Sequence, residues 1–81
     1  MNEISPNVSS AITHENYVLI ITFENGEVRT FDMKPYLKYE VFKELKNIEE
    51  FRKIHIDFGT VCWESGEGLS KDTFYIEGIN T

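Results

Sequence analysis

YVLIITFENGEVRTFDMKPYL, residues Tyr17 to Leu37, is the stretch that decides the fold. It reads as a strand, a turn, a second strand and the start of a helix. Tyr17 to Glu24 is dense in β-branched and aromatic side chains, which suit a pleated, half-buried surface. Because it is nearly all apolar, a central strand covered on both faces is expected. Asn25-Gly26 is a strong hairpin signal, since both residues tolerate positive φ. Glu27 to Phe31 or Met33 then returns as the partner strand. A two-residue loop pairs Phe23 with Val28 and Ile21 with Thr30, and sets Glu24 against Glu27, a mild like-charge conflict. A three-residue loop with a bulge at Gly26 stays open. Asp32 suits a helix N-cap, and Pro35 then falls in the first turn, where its missing N–H costs little.

Working outward, Val8 to Thr13 reads as a short first strand, and His14-Glu15-Asn16 as a turn. Tyr39 to Lys46 reads as a helix with Val41, Phe42 and Leu45 on one side. Asn47 caps a further turn over Ile48 to Lys53, with Glu49 placed to meet Lys53 at i+4. Ile54 to Phe58 and Thr60 to Glu64 alternate at period two and form a second hairpin about Gly59. Ser65 to Gly68 is a loop. Ser70 caps a last helix, Lys71 to Glu77, carrying Phe74, Tyr75 and Ile76 inward. The expected fold class is α+β, a small antiparallel sheet of hairpins with short helices packed on it. Leu19, Phe23, Phe31, Leu37, Phe42, Leu45, Phe51, Trp63 and Phe74 are the expected core.

The chain has 81 residues, of which 14% are aromatic. One domain over 1–81, with an ordered core over about 8–77, is expected. Six Phe, four Tyr and one Trp are enough rings to build a small core. No apolar run approaches the ~20 residues that span a bilayer, so no membrane association is expected. The lead MNEISPNVSS lacks the apolar centre of a signal peptide. Cys62 is a lone cysteine, which gives no internal disulfide and makes a cytoplasmic protein the default.

The net charge is −6 and unevenly placed. Residues 1–28 carry Glu3, Glu15, Glu24 and Glu27 with no Lys or Arg. Residues 57–81 carry Asp57, Glu64, Glu67, Asp72 and Glu77 against Lys71. The middle holds Lys34, Lys38, Lys43, Lys46, Arg52 and Lys53, interspersed with Glu40, Glu44, Glu49 and Glu50, which reads as a solvated helix surface. An acidic surface repels a phosphate backbone, so autonomous nucleic-acid binding is not expected. It suits a basic protein partner.

Two motifs in order carry a family resemblance. The first is Phe23-Glu24-Asn25-Gly26-Glu27 through Phe31-Asp32-Met33-Lys34-Pro35-Tyr36-Leu37. The second is GTVCWESGEGLSKDTFY, Gly59 to Tyr75, with Phe42, Leu45 and Phe51 between. Together they resemble the bacterial domain-of-unknown-function family 2442 from about Val8 to Tyr75. The resemblance implies an α+β fold with helices on an antiparallel sheet. Relatives that carry a helix-turn-helix domain, or are encoded beside a small toxin-like protein, imply a regulatory or antitoxin-like role. This chain has no helix-turn-helix segment. It departs from the family pattern at Glu64 and Lys71, where proline is usual, and at Gly68, where aspartate is common. Glu67 is a candidate stand-in for that aspartate, unless the aspartate is a turn residue whose geometry glycine supplies.

The sharpest chemical constellation is His55, Asp57 and Cys62. If Phe58-Gly59 is a tight turn, His55 lies opposite Cys62, with Asp57, Thr60 and Glu64 on the same face. Ile54, Ile56, Val61 and Trp63 then face the core. A Cys–His pair can generate a thiolate nucleophile or help ligate zinc. The plainer reading is the solvated face of an amphipathic hairpin, so no catalytic, cofactor-binding or metal-ligating residue is assigned and no cofactor is expected. Ser65 to Gly68 lacks the Lys and spacing of a phosphate loop. His14 reads as an exposed turn residue and Trp63 as a core anchor. The expectation is a non-catalytic protein-interaction module, the antitoxin-like or regulatory member of a small bacterial pair. The alternative is a ligand-sensing or structural homodimeric domain, assembled by strand addition at a sheet edge.

Overall fold

The computed structural model describes residues 5–66 and 68–80. The first four residues of the polar lead, and Glu67 as a stand-in for the family aspartate, lie outside the described residues. The strands are β1 Val8–His14, β2 Val18–Phe23, β3 Val28–Asp32, β4 Ile54–Asp57, β5 Thr60–Trp63 and β6 Ile79–Asn80. Two α-helices follow the capping signals, α1 Ile48–Phe51 and α2 Lys71–Glu77. The fold is α+β: an antiparallel sheet in the order β1-β2-β3-β6 and a separate β4–β5 hairpin.

The first hairpin takes the three-residue loop. Phe23 N–H donates to the Glu27 carbonyl at 2.8 Å, Gly26 N–H donates to the Phe23 carbonyl at 2.9 Å, and Thr22 pairs with Val28. Gly26 sits at φ 91°, the left-handed position that a three-residue hairpin with a bulge requires. One residue of register flips every side chain to the other face. In this register Phe31 pairs with Leu19 and turns into the core. Arg29 goes inward with it, while Val28, Thr30 and Asp32 face out.

β2 is central in order but covered on one face. Leu19, Ile21 and Phe23 are buried; Val18, Ile20 and Thr22 are only partly so. The expected cover on both faces is therefore corrected. The strand also starts one residue late. Asn16 and Tyr17 both take left-handed φ near 62° in a 3-10 turn, and Tyr17 spends its ring on Phe51, 5.3 Å between centroids.

Asp32 ends β3 and accepts from the Lys34 backbone N–H at 2.9 Å, so it satisfies the start of the 3-10 turn Lys34–Tyr36 that contains Pro35. The expected helix over Tyr39 to Lys46 is a 3-10 helix, Glu40–Lys46. Its three-residue turn puts Phe42 and Leu45 in line, and both are buried while Val41 is exposed. Asn47 caps α1 by accepting from Glu49 N–H at 3.0 Å. α1 stops at Phe51, so Lys53 pairs with Glu50 at 3.2 Å rather than with Glu49. Ser70 caps α2, accepting from Thr73 N–H at 3.2 Å. Ile76 faces solvent and not the core.

All nine expected core residues are buried, joined by Val8, Ile21, Met33 and Val61 in one cluster. Trp63 is central: its indole N–H donates to the Phe51 carbonyl at 2.8 Å, and its ring lies 6.0 Å from Phe51 and 6.5 Å from Phe42. Among the described residues no helix is long and apolar enough to cross a membrane.

Candidate functional site: the second hairpin and its tip

β4 and β5 form the hairpin the alternation predicts, with His55 opposite Cys62 and Asp57 opposite Thr60. The sequence-derived trio is thus brought to one face. Val61 and Trp63 fill the core on the other face. Ile54 is half-buried and Ile56 exposed, because the hairpin runs out past the core toward its turn.

The electrostatics of Cys62 oppose a nucleophile. Burial pushes its thiol pKa up, and the Asp57 carboxylate adds to the shift. A reactive thiol needs the reverse, a cationic neighbour that stabilises thiolate. Cys62 instead packs against Gly68, which it meets in an isolated β-bridge. A Cβ on residue 68 would lie 3.1 Å from the Val61 carbonyl and 3.3 Å from the Cys62 sulfur. Glycine therefore stands at 68 where any Cβ would crowd the Val61 carbonyl and the Cys62 sulfur. Among the described residues no group of three or more His, Cys, Asp or Glu is placed to hold a metal ion.

The unexpected residue is Phe58. It is 94% exposed, the most exposed large apolar side chain of the described residues. Its φ of 54° and the 76° of Gly59 make the left-handed pair of a two-residue hairpin turn. That turn favours Asn, Asp or Gly at its first position, and a bulky residue at positive φ is an outlier. The turn is held from below. Val8 N–H donates to the Gly59 carbonyl at 2.9 Å, and the Asn7 side chain fills the space where a Gly59 Cβ would sit. Lys71 donates to Asn7 Oδ1 at 2.8 Å, tying the start of β1 to α2. Phe58 thus projects from a clamped base, flanked by exposed Ile56 and by the acidic side chains of Asp57 and, further back, Glu64. The sequence pattern places Phe58 at the end of the alternating run from Ile54, or in a tight turn with Gly59, and gives it no functional role. The available signal was a phenylalanine where the turn wants asparagine.

A concavity of about 340 Å³ lies beside β3 and β6, lined by Phe31, Pro35, Tyr36, Tyr39, Glu77 and Ile79. Tyr36 donates its hydroxyl to Glu77 at 2.6 Å. That bond, then burial, pushes the phenol up to about 12. In the basic middle segment Lys34 meets Asp32 at 3.1 Å and Lys43 meets Glu40 at 2.8 Å. His14 is exposed at the end of β1.

Residues 8–80 match one protein family, described as a protein of unknown function (DUF2442). No curated protein matches the chain, and no solved structure does.

Proposed function

Because the chain belongs to the DUF2442 family over residues 8–80, whose description names no activity, we propose from its own geometry that it is a non-catalytic protein-interaction module. The observation that carries this reading is Phe58. A left-handed non-glycine residue costs on the order of 1–3 kcal/mol and persists where something else requires it. The core gains nothing from a side chain that is almost wholly in solvent. A partner's apolar pocket would gain an aromatic anchor, the side-chain class that dominates interface hot spots.

Asp57 and Glu64 on the same hairpin, and the net charge of −6, fit a basic rim around that pocket. The partner is thus a basic protein, such as the other member of a small bacterial pair in which this chain is the antitoxin-like or regulatory half, working in the cytoplasm. The Tyr36–Glu77 groove supports a ligand-sensing role less well, since its phenol and carboxylate already satisfy each other.

The test is co-expression with the protein encoded beside it. Wild type should co-purify with the neighbour and Phe58→Asn should not, with the complex weakening as salt rises. A neighbour that binds wild type and Phe58→Asn equally would overturn the reading.

A further inference from the structure

Asn25 is the one asparagine of this chain that a glycine follows. The others precede residues with side chains, among them the β-branched Val8, Ile48 and Thr81. Asparagine is thermolabile because the next amide nitrogen can attack its side-chain carbonyl carbon, and a following side chain hinders that approach. At residue 25 nothing hinders it. Asn25 and Gly26 are exposed at the tip of the first hairpin, and even a Cβ on residue 26 would meet no atom within 4 Å.

Hydrogen bonds, rather than bulk, hold the pair apart. Gly26 N–H donates to the Phe23 carbonyl at 2.9 Å. Asn25 Nδ2 donates to Glu27 Oε1 at 2.8 Å, and Asn25 Oδ1 accepts from Glu27 N–H at 3.0 Å. The attack needs the Gly26 nitrogen to give up its proton and turn toward Asn25 Cγ. The turn bond and the Glu27 clasp must both open first.

We propose that Asn25 is a site of self-modification, a deamidation whose rate is set by the Asn25–Glu27 clasp. The Gly26 nitrogen bonds to Asn25 Cγ, the Cγ–Nδ2 bond breaks, and Nδ2 leaves as ammonia with the Gly26 proton. Water then opens the cyclic imide at either carbonyl, giving aspartate or isoaspartate. No redox partner is required; water enters and ammonia leaves. The product sets a new carboxylate where the amide donated to Glu27 Oε1, the same oxygen that accepts from the Tyr75 hydroxyl. Like charges then oppose each other at the contact that ties the first hairpin to α2. Phe58 has no part in this.

The test ages the full chain in warm, mildly alkaline buffer, folded and in urea, with ion exchange and peptide mapping as readouts. Folded wild type should form a more acidic species changed at residue 25, about tenfold more slowly than the chain in urea, because only the opened tip reacts. Glu27→Ala removes the acceptor and should raise the folded rate several-fold. Glu27→Gln keeps an acceptor and should not. Asn25→Asp, the product made directly, should have a lower urea midpoint than wild type at neutral pH. The proposal fails if residue 25 stays intact in the folded chain, if folded and unfolded chains age alike, if Glu27→Ala ages no faster than wild type, or if Asn25→Asp keeps the wild-type midpoint. If Glu27→Ala does not fold, Glu27→Asp, with its carboxylate one methylene shorter, takes its place under the same criterion.

Discussion

Tyr75 donates its hydroxyl to the Glu27 carboxylate, joining the last helix to the first hairpin across 48 residues of sequence. Arg29 completes the contact. Its guanidinium lies 4.4 Å from the Tyr75 ring centroid, its Nε donates to the Tyr75 carbonyl at 3.2 Å, and it meets Glu27 at 3.6 Å. An inward arginine in a small core is tolerable only because each of its polar edges finds a partner.

Arg29→Met keeps the aliphatic stem and removes the cation. It should cost roughly 1–3 kcal/mol, the range for a hydrogen-bonded buried charge, read from urea denaturation. A wild-type midpoint would mean that the cluster is ornamental.

Glu27 gives that cluster a pH dependence. The Tyr75 hydroxyl first, then the Asn25 side chain, hold its carboxyl below the usual 4.5. The folded state therefore binds this proton less readily than the unfolded chain does. Its contribution is present above about pH 4.5 and is lost as pH falls through the lower folded value. Glu27→Gln should flatten that part of the acid-denaturation profile and leave the neutral-to-alkaline part alone.

Tyr36 works at the other end of the scale. With its pKa raised to about 12, the folded state holds a proton that the unfolded chain releases near pH 10. Stability from the Tyr36–Glu77 bond is full below pH 10 and drains away as pH rises toward 12. An absorbance titration should show a late component near pH 12 that is missing in Tyr36→Phe.

Trp63→Ala removes the ring that joins Phe42 and Phe51. The cost should be about 3–5 kcal/mol, enough to unfold a domain whose whole stability is about 5 kcal/mol. Far-UV circular dichroism at room temperature would read it. Phe58→Asn should go the other way, stabilising by roughly 0.5–1 kcal/mol through relief of backbone strain.

Gly68 and Cys62 should be coupled. Gly68→Asp presses its Cβ on the Val61 carbonyl and, slightly further off, on the Cys62 sulfur, so it should destabilise by about 1 kcal/mol. Cys62→Ala alone should be mild, and in combination it should recover the part of the loss due to the sulfur while the contact with the Val61 carbonyl persists, a partial non-additivity that a double-mutant cycle measures.

Most of this architecture was legible because strong local signals agreed: Asn25-Gly26, the caps Asn47 and Ser70, and the large apolar side chains. The register of the first hairpin was legible too, had the expected core been used to choose it. Leu19 and Phe31 can both face inward only with the three-residue loop, and that choice forces Arg29 inside. Val41, Ile56 and Ile76 were misplaced because an apolar residue beside a buried one satisfies a loose pattern as well as the true one. A 3-10 helix, the reach of a hairpin beyond the core and the far side of α2 put them in water. β6 is two residues long and carries no local signal. Of the candidate site, the His55–Cys62 face was readable from alternation, while Phe58 was absorbed into the apolar alternation of the run from Ile54, which does not show that it projects into solvent at the turn.

β6 closes the sheet with only two paired residues, Arg29 with Asn80 and Thr30 with Ile79, and hangs directly from α2. The meander β1-β2-β3 is built from neighbours in sequence; this last pairing spans about fifty residues. Loop closure of that length contributes late in folding. The molecule should accordingly have a seam. α2 and β6 should peel away together as one low-energy opening, uncovering the far edge of β3 and the Phe31–Phe74 contact while the meander stays intact. Hydrogen exchange should find that seam in the amides of Phe74 and Gly78, exchanging sooner than those of Leu19 and Ile21.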